Sequence, residues 1–304
     1  HEVMDDPAWG ERGFLNNLKD KAYRQLGSSG SGNHFVDWGA FKLERDDASL
    51  GLERGSYLAL LSHSGSRGVG YQIADRFSKL AMEQHPELDK SVRHLAWLDL
   101  ESSLGYEYWI SMELAGRFAS ANHHVIHNKI AKDVGLKPLL EVENHHNFAW
   151  KVQLPDADNP EKTREVIVHR KGSTPAGKGE LGVIPGSMGD AGYVVRGKSN
   201  KDAIYSASHG AGRLMSRTVA KSSITKTERD KYLRKMEVKL FGGDIDESPQ
   251  AYKNLDQVIQ AQEDLVDIVA SFHPKVVRMD GKLNDGGSKD KGKSKKEKSS
   301  RKRR

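Results

Sequence analysis

The chain has no cysteine among its 304 residues, which excludes a disulfide framework and any thiolate metal site. It also lacks long apolar runs. No stretch approaches the ~20 uncharged apolar residues of a membrane-spanning helix, and the most apolar segments, such as residues 57–61, have strand length. No secretory leader opens the sequence, so the expectation is a soluble, cytoplasmic protein with no membrane partner. Prolines number only nine, and none of them cluster into a linker. The first residue is His1 rather than methionine, which predicts a fragment or a processed form.

Charge is unevenly placed. The whole chain carries +6, but the segment from Lys282 to Arg304 alone carries +8, which leaves the remainder near −2. The basic character therefore belongs to the tail and says little about the partners of the body. Residues 284–304 have almost no apolar side chains to bury, and they are expected to form a disordered basic tail. Residues 1–283 are expected to form one compact domain of mixed α/β (α+β) class. Residues 104–134 predict a long amphipathic helix, and residues 251–271 a second one ended by His273 and Pro274. Residues 57–61, 151–154, 166–169, 193–196 and 276–279 predict strands.

What the sequence has in quantity is glycine, thirty in all, concentrated in short loops that also carry histidine. These are Gly30-Ser31-Gly32-Asn33-His34, His63-Ser64-Gly65-Ser66-Arg67-Gly68, Asn144-His145-His146-Asn147 and Ser208-His209-Gly210-Ala211-Gly212-Arg213. Between the last two lie Arg170-Lys171-Gly172-Ser173-Thr174-Pro175-Ala176 and Pro185-Gly186-Ser187-Met188-Gly189. Glycine lets backbone amides face an anion without a Cβ in the way. Neutral imidazole binds metals and can also act as a nucleophile. Loops that combine the two suggest a phosphate-bearing ligand held beside a metal.

The six motifs, in this order from about Gly30 to Gly281, resemble those of the RtcB family of RNA-splicing ligases. The resemblance implies an RtcB-like catalytic domain that joins RNA 2′,3′-cyclic phosphate or 3′-phosphate ends to 5′-hydroxyl ends, using GTP and Mn2+. The expected substrates are tRNA halves or other cleaved RNA, and an archease-type activator is an expected partner. By motif position His209 resembles the guanylated nucleophile, and His34, His63 and His146 resemble metal ligands. Asn33, Asp37, Asn147, Pro185, Gly186, Ser187, Met188, Gly210, Ala211, Gly212 and Tyr252 resemble the nucleotide-binding set. Arg67, Arg213 and Arg217 are candidates for gripping the RNA phosphate, because a guanidinium fork suits bidentate contacts.

The sequence also departs from the family pattern. The family adds an Asp and a bridging Cys from an Asp-x-x-Cys motif near its N-terminus, and this chain has no cysteine. The expectation is an N-terminally incomplete domain that binds one divalent ion tightly instead of two. Asp37 stands where the family usually has Glu, Gly192 where a Ser is common, and Asp280-Gly281 where it has Lys-Gly. A catalytically impaired RNA-binding protein is the alternative reading, and a phosphohydrolase or nucleotidyltransferase on small substrates a third. His123 and His127, four apart on the long helix, read as its solvated face. His145 reads as turned away from the site, His169 and His273 as structural, and His85 and His94 as surface residues.

Overall fold

The computed structural model describes residues 1–156, 159 and 161–281, so the expected basic tail and Lys282 lie outside the described residues. The helices are α1 (Ala8–Glu11), α2 (Gly13–Gln25), α3 (Arg67–Gln84), α4 (Ser103–Asp133), α5 (Arg217–Ser223), α6 (Lys226–Lys235) and α7 (Leu255–Gln260). The strands are β1 (Phe35–Leu43), β2 (Gly55–His63), β3 (Asn147–Pro155), β4 (Thr163–Lys171), β5 (Ser173–Pro175), β6 (Leu181–Ile184), β7 (Gly192–Gly197), β8 (Ser206–Ser208), β9 (Lys239–Phe241) and β10 (Val266–Met279). The expected mixture of helix and sheet is what the chain adopts.

The long helix α4 starts at Ser102, whose hydroxyl accepts the Gly105 N–H at 3.0 Å and satisfies one of the free donors of the first turn. Its apolar stripe meets α1, α2 and α3 in a core of Trp9, Leu15, Leu18, Val69, Ile73, Phe77, Leu114 and Phe118. Trp9 meets Phe118 edge-on at 6.4 Å and donates its indole N–H to the Val3 carbonyl at 2.8 Å. Large apolar surface and a satisfied polar tip make this helical layer a rigid base. Among the described residues no helix is long and apolar enough to cross a membrane.

The main sheet runs β2-β1-β10-β7-β6, with β9 also paired to β10. β10 is its spine, antiparallel to β1 and β7 and parallel to β9. Here the expected second helix is corrected. Only Leu255–Gln260 is helical, and from Val266 onward the chain is strand. The β-branched Val266, Ile268 and Val269 fit a pleated surface, and pairing with β7 overrides the helical spacing of the apolar residues. Pro274 ends nothing. It lies within β10 opposite Gly39, where the register of β1 shifts between Trp38 and Gly39. A Cβ on Gly39 would fall 2.4 Å from the His273 carbonyl oxygen, so only glycine fits this approach. Two short ribbons, β3-β4 and β5-β8, flank the sheet.

Because Phe118 is fully buried in the helical layer, Phe118→Ala should lower unfolding stability by about 3–5 kcal/mol. Urea denaturation followed by circular dichroism measures this. A loss below ~1 kcal/mol would show that the layer is not packed as described.

Candidate functional site

The site begins with a polar residue inside the helical layer. Asn122 of α4 is fully buried and uses both ends of its amide. Its oxygen accepts the Gly27 N–H at 2.7 Å and the Ser28 N–H at 3.2 Å. Its nitrogen donates to the Ser28 carbonyl at 3.0 Å, Ser64 Oγ at 3.0 Å and the Gly65 carbonyl at 3.2 Å. One side chain thereby ties the loop leading to His34 to the loop following His63. A second asparagine does the same elsewhere. Asn144 accepts the Val183 N–H at 3.1 Å and donates to Thr174 Oγ1 at 2.9 Å, which fixes the approach to His146. Gly172, at φ +73°, donates to the His146 carbonyl at 3.0 Å and accepts from the His209 N–H at 3.3 Å.

These ties set four imidazoles in a row. Ring centroids lie 5.7 Å apart from His34 to His63, 5.0 Å from His63 to His146 and 4.4 Å from His146 to His209. Phe35 stacks on His63 at 5.5 Å. Burial, then the neighbouring imidazoles, press His63 down to about 3. Burial and His209 bring His146 to about 4. Burial and the Arg67 guanidinium lower His34. All three are therefore neutral at pH 7, the form that ligates metal.

Among the described residues no three His, Asp or Glu side chains have their donors gathered on one point. The rings lie partly face to face, at 28° from His63 to His146 and 26° from His146 to His209, with His34 tilted by 45° to His63. The donor chemistry nevertheless suits a divalent ion. The Nδ1 atoms of His34 and His209 are buried without a hydrogen bond, and His63, His146 and His209 line a cavity of ≈ 50 Å³. That volume takes an ion and a few waters, and it is far below the ~300 Å³ or more of a small-molecule pocket.

The other expected residues fall into three groups. Pro185 lines the cavity and its carbonyl lies beside Gly210, so the 185–188 loop and the His209 loop do meet. Gly186 needs to be glycine, since a Cβ would lie 2.3 Å from the Ala191 carbonyl oxygen. Asn33 and Asn147 are exposed at the rims of their loops, next to His34 and His146, while Gly212 takes φ +75°. In the second group the side chains are engaged inside the protein. Ser187 Oγ donates to Asp190, the Met188 side chain packs in a core with Leu233, Val277 and Met279, and Ala211 is buried beside Ile259. Asp37 on β1 is buried, its Oδ1 lacks a hydrogen bond, and burial raises its carboxyl well above the ordinary range.

The arginines form the third group. Arg213 donates to the Asp246 carbonyl at 2.6 Å, the Met215 carbonyl at 3.1 Å and the Tyr252 hydroxyl at 3.2 Å, and its guanidinium lies 5.0 Å above the Tyr252 ring. Arg217 pairs with the buried carboxylates of Asp246, at 2.6 Å, and Glu247. Tyr252 donates its hydroxyl to Glu247. These three residues make one network with Asp246 and Glu247; Arg213 is committed within it, while Arg217 is half exposed and uses only Nη1. Arg67 differs. At φ +54° it opens α3, only its Nε is engaged, by Ser28 Oγ at 3.1 Å, and its guanidinium borders His34.

The reading of His123 and His127 as a solvated helix face is corrected. His123 lines the histidine cavity, and its Nδ1 lies 2.8 Å from Glu143. His127 Nε2 lies 2.8 Å from Ser62 Oγ. Helical periodicity places both on the face of α4 that meets β2, and the polarity of histidine hides that fact in sequence. Asn122 and Asn144 are the functional residues sequence reasoning misses. Their signals are present: an asparagine inside an apolar stripe, and one leading a histidine pair.

A family model described as tRNA-splicing ligase RtcB matches residues 10–280. The RNA-splicing ligase RtcB of Escherichia coli (strain K12) is 31% identical over 281 residues, covering 88% of this chain and 64% of the relative. The tRNA-splicing ligase RtcB of Nanoarchaeum equitans is 32% identical over 297 residues, covering 86% of this chain and 61% of the relative. That of Thermococcus kodakarensis is 30% identical, covering 84% and 60%. The chain thus spans a little under two thirds of the length of these curated relatives.

Two outcomes are expected from the polar framework. Asn122→Ala strands several buried groups at about 1–3 kcal/mol each, so it should destabilise the protein strongly in chemical denaturation. Asn128→Ala, on the exposed face of the same helix, should leave stability unchanged; equal effects would contradict the role given to Asn122. Asp37 has its folded-state pKa raised, so its ionisation opposes folding as pH rises above the ordinary carboxylate range. Asp37→Asn should therefore stabilise the protein at pH 8, with the gain shrinking toward pH 4, where the unfolded carboxyl is also protonated. A gain that grows on acidification would refute this.

Proposed function

The chain belongs to the RtcB family, and on that premise we propose that it carries the nucleotide-transfer centre of a GTP- and Mn2+-dependent RNA ligase. The observation that carries the reading is His209. Its ring stacks on His146 at 4.4 Å, its Nδ1 is buried without a hydrogen bond, and glycine follows it at 210 and 212. A ring nitrogen free of hydrogen bonds can offer its lone pair to phosphorus as a nucleophile.

In this reading a ring nitrogen of His209 attacks the α-phosphorus of GTP, a P–N bond forms, and pyrophosphate leaves. An oxygen of the RNA 3′-phosphate then attacks the same phosphorus, freeing His209 and leaving GMP on the RNA end. The 5′-hydroxyl of the second RNA attacks the 3′-phosphate, loses its proton and expels GMP. A bare 3′-phosphate is a poor electrophile, and the attached nucleotide supplies the leaving group. His34, His63 and His146 would hold the metal, whose contribution is to neutralise charge on the transferring phosphorus. The small cavity suits the ion, so the nucleotide would lie outside it, on the side of Pro185, which lines the cavity and has its carbonyl beside Gly210. Arg67 is a guanidinium placed to meet the RNA phosphate, because it borders His34 and its terminal nitrogens are uncommitted among the described residues.

A second reading, an RtcB-like RNA-binding protein without turnover, is favoured by the lack of gathered metal donors among the described residues and by the absence of cysteine. One experiment separates the two. Incubation with GTP labelled at the α-phosphate, with Mn2+, should leave an acid-labile, hydroxylamine-sensitive label that vanishes in His209→Ala. RNA binding without any label supports the second reading, and a label that survives His209→Ala overturns the assignment of the nucleophile.

A further inference from the structure

The cavity holds one imidazole that neither the motifs nor the mechanism above employs. His123 comes from the middle of α4, while the other histidines come from loops and strand ends. Its Nδ1 lies 2.8 Å from Glu143 Oε1, and the other carboxylate oxygen of Glu143 accepts a hydrogen bond from Ser120 Oγ at 2.8 Å. The Glu143 side chain is 28% exposed and that of His123 only 17%. Burial works against the ionised Glu143, but the hydrogen bonds from His123 and Ser120 outweigh it and bring its carboxyl to about 2.

A carboxylate at Nδ1 fixes the tautomer. With the proton on Nδ1, Nε2 presents a lone pair. Nε2 is buried and makes no hydrogen bond. It belongs to a residue that lines the same ≈ 50 Å³ cavity as His63, His146 and His209. Other imidazoles nearby do not share this state. His127 Nε2 is occupied by Ser62 Oγ, and His145 packs on Phe148 at 5.8 Å. Carboxylate, imidazole and open nitrogen in sequence is the arrangement by which proteins orient metal-ligating histidines. In a chain without cysteine, a nitrogen donor delivered by α4 adds to the ligands available for a divalent ion.

We propose that His123 is a further nitrogen ligand of the divalent ion taken by the histidine cavity, with Glu143 as the carboxylate that orients it. The inference rests on the reading of this cavity as a metal centre, and its test separates the two. Mn2+ affinity would be measured by the loss of the free-ion electron paramagnetic resonance signal, and coordination by the visible spectrum of the Co2+-loaded full chain. Wild type, His123→Ala, Glu143→Gln, His146→Ala and His94→Ala would be compared, with circular dichroism melting as the check on folding and His123→Gln in reserve should His123→Ala not fold. His123→Ala is expected to weaken Mn2+ at least tenfold and to shift the Co2+ bands. Glu143→Gln should weaken binding by roughly tenfold with the ligand set retained, and His94→Ala, on the surface, should change nothing. If His146→Ala loses the ion while His123→Ala matches wild type in affinity and spectrum, the metal centre stands and the role of His123 is overturned. If wild type binds neither ion, both readings fall.

Discussion

The amide of Asn122 is the constraint from which the site is built. A fully buried asparagine inside an apolar helix layer is stable only when its donors and acceptor are all used, and here they reach two loops far apart in sequence. The geometry is specific, because the amide plane fixes both loops relative to α4 at once. His34 and His63 are then delivered to a common place by a residue outside the cavity lining. Asn144 and Gly172 complete the frame by joining the loops of His146 and His209 to each other and to β5 and β6. The helical layer supplies rigidity, the asparagines convert it into loop position, and the imidazoles inherit that position.

A row of imidazoles packed this closely cannot all carry charge. Burial, then the neighbouring imidazoles, hold His63 and His146 far below the ordinary range, and together with His34, lowered by burial and Arg67, they are neutral nitrogen donors at physiological pH. The buried, unpaired carboxyl of Asp37 is the opposite case. It is a group in β1 whose charge the fold penalises.

Much of this was legible in sequence, for physical reasons that differ by element. The helix over Ser103–Asp133 declares itself through periodic apolar residues and a serine cap, and the histidine loops declare themselves because glycine and histidine are rarely placed together by packing needs alone. The segment from Val266 misleads because short apolar runs carry no clear period, and only its pairing with β7 and β1 decides for strand. His123 misleads for another reason. Its polarity suggests solvent, whereas its helical phase, shared with Ser120 and His127, turns it toward β2 and Glu143. Phase outweighs polarity wherever a polar partner waits inside.

The same distinction governs the arginines. Three guanidiniums look equivalent in sequence, yet two of them neutralise the carboxylates of Asp246 and Glu247, which are 4% and 3% exposed. Removing an arginine from such a pair would leave buried negative charge uncompensated, which is the expensive outcome for a buried ion pair. Their first function is therefore to let α5 and the turn at 245–247 pack together. Arg67 is held by a single contact, in a left-handed conformation that costs a non-glycine residue about 1–3 kcal/mol. That strain is tolerated at the start of α3, where the chain turns from His63 past Gly65. The conformation sets the guanidinium beside His34, at the end of the histidine row away from His209. His209 and Arg67 thus stand at opposite ends of the histidine row.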